Sequence, residues 1–94
     1  FDEPLTPEIV AEMAGVRVTL VTLLVKNGLL GTIDDRLEEP LLLPRAAVLR
    51  LRKMQRLRRD LKVNFAGAGV LLDMVERMEA MRREMAEMRA RFNL

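Results

Sequence analysis

Between residues 71 and 92 the apolar positions advance in an unbroken alternation of three and four: Leu71, Met74, Met78, Met81, Met85, Met88 and Phe92. Glu and Arg fill most of the positions between them. On a helix that spacing draws one continuous seam, the signature of a coiled coil. Asn64 is a good N-cap, and neither Pro nor Gly interrupts residues 70–92. A helix over 64–92 is roughly 42 Å long, and residues 1–63 are too few to wrap a rod of that length. The seam needs a second surface, so the expectation is a homodimer. A flexible Met stripe also suits a groove for a different partner.

At 94 residues the chain is one small fold, expected to divide into a globular part at 1–61 and a dimerisation helix at 62–94. Half of the residues are apolar, which excludes a disordered tail. No apolar run approaches a membrane span, and the absence of Cys fits a reducing compartment, so a cytoplasmic location is expected. The chain starts at Phe1, so an upstream piece is expected to have been removed. His, Ser, Cys, Tyr and Trp are all absent. That leaves no imidazole base, no serine or thiol nucleophile and no soft metal ligand, and the expectation is a non-enzyme with no cofactor and no metal.

Charge is distributed in blocks. Residues 1–43 hold eight acids and three bases, residues 44–63 eight bases and one acid, and residues 64–94 five of each. Such segregation invites opposite readings of the two ends.

Thr6-Pro7-Glu8 reads as a helix start and Gly15 as its stop, with Ile9, Val10, Met13 and Ala14 facing inward. A second segment, 17–27, closes on Gly28, giving a helix-turn-helix. Its run Val18-Thr19-Leu20-Val21-Thr22-Leu23 has strand propensity, but the flanking punctuation favours a helix. Thr32-Ile33 and Leu41-Leu42-Leu43 flank an acidic stretch and predict a small β wing. Pro44 opens a helix to about Leu61, with Ala47, Val48, Leu51, Met54, Leu57 and Leu61 inward and a face of arginines outward. Lys62-Val63 is a hinge, and Gly67 and Gly69 are expected to admit a neighbouring helix closely.

This order, and three local runs, resemble the MerR-like winged-helix class. The runs are Leu5-Thr6 through Ala14-Gly15-Val16, the exit Asn27-Gly28-Leu29-Leu30, and residues 51–67, "LRKMQRLRRDLKVNFAG". The last run, followed by an apolar stretch and heptads, is similar to two branches: CbpM-type chaperone modulators, which bind the J-domain of a DnaJ- or CbpA-like co-chaperone, and heat-shock repressors, which bind DNA. The resemblance implies an all-α fold, a MerR-like winged helix-turn-helix with a small β wing and a long C-terminal coiled-coil helix, paired antiparallel.

Departures from the DNA-binding pattern separate the branches. Where those members carry an "SPRTLRxYE"-like recognition helix, this chain reads "RVTLVTLLV", and after its leading Arg17 the only base is Lys26 at the helix end. The wing holds Asp34, Asp35, Glu38 and Glu39 against the single Arg36. Acids at a groove oppose the phosphate contacts that supply most DNA affinity. The expected function is therefore a modulator of a J-domain co-chaperone, with DNA-binding regulation through Lys26, Arg52, Arg56 and Arg59 as the alternative. The nominated partner surface is Asp34, Asp35, Glu38 and Glu39 for steering and Leu20 and Leu24 as apolar anchors. Set against these, the acidic loop is also an ordinary solvated loop, and the arginine face an ordinary solvated face salt-bridged to the acids of the front domain.

Overall fold

The computed structural model describes residues 3–35 and 37–92. Among them the chain forms four α-helices: α1 (Pro7–Ala14), α2 (Val18–Lys26), α3 (Ala46–Leu61) and α4 (Phe65–Phe92). A short 3-10 turn lies at Ile33–Asp35.

The helix boundaries follow from capping. Thr6 Oγ1 accepts the Ile9 N–H at 3.3 Å, and Pro7 occupies the first turn, where its missing donor costs nothing. Gly15, at φ +73, ends α1 while the Val16 N–H returns to the Ala11 carbonyl at 3.0 Å. Gly28, at φ +75, ends α2 in the same manner, with the Leu29 N–H on the Leu24 carbonyl at 2.8 Å. Helix therefore prevails over strand propensity in α2. The Thr22 hydroxyl is satisfied within the helix by the Thr19 and Val18 carbonyls, and Val21 and Val25 gain burial that outweighs a weak local preference.

α1 packs on both α2 and α3, and α3 packs on α4. Leu51 and Met54 of α3 lie at the centre, fully buried among Val10, Val21, Leu24 and Leu43. Ala68, Gly69 and Leu72 of α4 are buried too, so the core crosses the 61/62 division expected from sequence. Gly69 is where α4 comes closest: a Cβ there would lie 2.8 Å from Leu29 Cδ2. Gly67 faces its own cap instead, with Val63 Cβ and Asn64 Oδ1 both 3.3 Å from a Cβ built there.

Three inward assignments are corrected. Ile9 and Met13 are exposed, and α1 turns Val10 and Ala11 inward, with Ala14 packed at the edge. Leu61 is exposed on the last turn of α3, where the chain reverses at Lys62 in the left-handed conformation (φ +59) before any neighbour covers it. The β wing is also corrected: no strand forms among the described residues. Leu43 pairs instead with Leu5, each N–H donating to the other's carbonyl at 2.8 Å, in an isolated bridge. One contact of the expected hairpin survives, the Ile33 N–H on the Leu42 carbonyl at 2.8 Å. Asp34 at φ +59 bends the chain out of extended conformation, and Pro40 has no N–H to donate to a ladder. Arg36 and the side chain of Asp35 lie outside the described residues.

Candidate functional site

The nominated partner residues separate into three environments. Asp34, Glu38 and Glu39 are exposed and border a small hollow of about 130 Å³ with Ile33, Pro40 and Leu42. The neighbouring Leu37 is 64% exposed, which gives this loop an apolar side chain among its carboxylates. Leu20 is half-buried and lines a different cleft, beside Arg58, Arg59 and Lys62.

Leu24 is a correction: at 2% exposure it is a core residue and presents nothing to a partner. Val21, Leu24 and Val25 form the inward i, i+3, i+4 set of α2, which leaves Leu23 outward at 53% exposure. The same spacing, read from Val21 rather than from overall apolarity, was the available signal for Leu23.

The arginine helix is less free than its composition implies. Arg50 is a clamp. Its Nε donates to the Leu29 carbonyl at 3.0 Å, Nη2 to Asp73 Oδ1 at 2.9 Å and Nη1 to Glu76 Oε1 at 3.2 Å. The carboxylates that meet it are thus on α4, not in the acidic front segment. Arg52 Nη2 donates to the Met13 carbonyl at 2.8 Å, tying α3 to the C-terminal turn of α1. Of the four residues nominated for DNA contact, Arg52 is committed to that bond, and Arg59 sits 3.7 Å from Asp60. Arg56 is exposed on α3 and Lys26 is exposed at the end of α2.

Along α4 the seam is laid out as its spacing implies. Leu71 is half-buried at the edge of the core, while Met74, Met78, Met81, Met85, Met88 and Phe92 are all more than half exposed. Among the described residues no cluster of carboxylates is placed to hold a metal ion, and no buried side-chain polar atom lacks a hydrogen-bond partner. No helix among them is long and apolar enough to cross a membrane.

A helix-turn-helix leading through α3 into a long terminal helix is the arrangement to set against known families. Residues 5–90 match the model of the MerR HTH family regulatory proteins. The chain belongs to that family. No curated protein and no solved structure is significantly similar to it. In this MerR-family member the match spans α1 to all but the last two residues of α4, so the exposed methionines of α4 lie within the family's own extent.

Proposed function

We propose that this MerR-family chain is a non-enzymatic, cytoplasmic regulator that works as a homodimer by gripping another protein. In this reading its functional counterpart is the CbpM-type chaperone modulator, and its partner is the J-domain of a DnaJ- or CbpA-like co-chaperone. The observation that carries the reading is the surface of α2. Its outward residues are Thr19, Leu23 and Lys26, with exposed Arg17 at its N-cap, so the helix in the recognition position offers an apolar side chain along its length and cations only at its two ends. Such a face suits protein contact better than phosphates.

The acidic loop supports the same reading. Asp34, Glu38 and Glu39 present negative charge around exposed Leu37, which complements a basic helix with apolar side chains. Leu37 takes over the anchoring role from buried Leu24. Dimerisation rests on α4: six large apolar side chains in coiled-coil spacing stand exposed over 74–92.

The test is a titration of purified J-domain into the full chain, with a parallel gel shift on duplex DNA. Binding of the J-domain that weakens when Glu38 and Glu39 are reversed to Lys supports the reading. Sequence-discriminating DNA binding at physiological salt, without J-domain binding, favours a transcriptional regulator of heat-shock type instead.

A further inference from the structure

A cleft of about 830 Å³ opens where the α1–α2 turn meets the junction of α3 and α4. Its half-buried lining is Val16, Leu20, Val63 and Phe65 with the amide of Gln55 among them. Its rim carries three exposed cations, Arg58, Arg59 and Lys62. A second groove of about 470 Å³ adjoins it, sharing Val16 and Leu20 and continuing to Leu23, with Arg17 at its edge. Together they make one trough with an aliphatic base and positive walls. The nearest carboxylate on α3, Asp60, meets Arg59 at 3.7 Å, leaving Arg58 and Lys62 without an ion-pair partner among the described residues.

Arg58 sits 4.9 Å above the Phe65 ring, which holds its planar fork in place at the cleft edge. A guanidinium fixed in this way is prepared for a carboxylate, which it receives through two parallel N–H bonds. The trough lies away from the acidic loop, with which it shares no lining residue.

We infer that this trough is a docking surface for an acidic amphipathic segment of a partner protein, its apolar side chains seated on Leu20, Leu23 and Val63 and its carboxylates on Arg58, Arg59 and Lys62. Charge complementarity selects the partner's sign, and the apolar base selects a protein over nucleic acid. Duplex binding needs cations without a raised leucine between them. Single-strand binding needs open aromatic faces, whereas the ring of Phe65 is covered by Arg58. The trough shares Leu20 and Leu23 of α2 with the face used in the proposed function, but its charged groups are cations of α3 and the α3–α4 junction rather than the carboxylates of the acidic loop.

The probe is a fluorescein-labelled synthetic helix of about sixteen residues, Leu on one face and Glu on the other, measured by polarisation against the full chain. Arg58→Glu combined with Lys62→Glu changes only exposed side chains and is expected to weaken binding about tenfold or more. Leu23→Ser is expected to weaken it severalfold without altering circular dichroism. A probe with Leu replaced by Ser, or with Glu replaced by Lys, is expected to bind much less. The inference is overturned if the double charge reversal leaves affinity unchanged, or if the Ser probe binds as well as the Leu probe. It is equally overturned if binding is lost in Met78→Glu but kept in the trough variants, or if duplex DNA displaces the probe at lower concentration than unlabelled peptide. None of these outcomes depends on whether a J-domain binds the acidic loop.

Discussion

Arg50 and Asp73 meet at 2.9 Å, one from the first half of α3 and the other from the third turn of α4. The Arg50 side chain is about four-fifths buried, and it also holds the Leu29 carbonyl, which follows α2. One guanidinium thus joins three segments distant in sequence. The pair itself is half open to solvent, because Asp73 is exposed, and exposed pairs contribute only about 0.2–1 kcal/mol. Asp73→Ala should therefore cost less than about 1 kcal/mol, whereas Arg50→Ala should cost roughly 1–3 kcal/mol because the Leu29 carbonyl also loses its donor. Urea denaturation of both variants and of the double variant measures the difference.

Leu24→Ala should destabilise the fold by about 2–5 kcal/mol, since the residue is fully enclosed. Leu23→Ala, one position away, should change stability by less than about 0.5 kcal/mol. Thermal melts of the two variants check the assignment of the inward face of α2, and equal melting temperatures would contradict it.

Gly69 tolerates little. Gly69→Ala displaces the end of the Leu29 side chain but gains about 1 kcal/mol of helix propensity, so the net change should stay within about 1 kcal/mol. Gly69→Leu, which must also displace the Met54 methyl, should cost about 1–3 kcal/mol or more. Combining Gly69→Leu with Leu29→Ala should recover part of the loss, measured as a double-mutant cycle.

Met81→Asp should convert a dimer to monomer, because a carboxylate in the seam costs several kcal/mol on the order expected for an unpaired buried charge. Light scattering across a concentration series reads this directly. A wild-type chain that is already monomeric at tens of micromolar, about the range where such pairing should hold, contradicts the dimer proposal.

DNA binding should be weak, insensitive to sequence and lost on raising salt, since any affinity would come from exposed cations such as Arg56 on α3 rather than from α2. A gel shift with two unrelated duplexes at two salt concentrations distinguishes this from specific recognition.

Capping chemistry made the helices legible in the sequence. Thr6, Pro7, Gly15, Gly28 and Asn64 each do locally what their residue type permits, and Asn64 Oδ1 accepts the Gly67 N–H at 2.8 Å. The exposed apolar stripe of α4 is equally readable, because its spacing needs no knowledge of tertiary neighbours. What the sequence hid was long-range pairing. Leu5 takes the partner that the hairpin would have used, and the two are 38 positions apart. The composition of α2 does not say which side α1 covers, so nothing local marks Leu24 as inward and Leu23 as outward. The arginines of α3 posed the same difficulty: only the fold reveals that Arg50 and Arg52 are tied to α4 and α1 while Arg58 and Lys62 border the trough.

α4 is continuous from the core to its far end, with no break between the turns that pack on α3 and the turns that carry the seam. Mechanically it is one arm that leaves the core beside the contact of Arg50 with Asp73 and Glu76. From Glu76 to Phe92 the arm extends about 24 Å, so a tilt of roughly 10° at that contact moves its tip by about 4 Å. The relation runs in reverse as well. In the proposed homodimer, the way two such arms seat against each other would bear on the angle at that contact, which Arg50 links to the Leu29 carbonyl at the foot of α2.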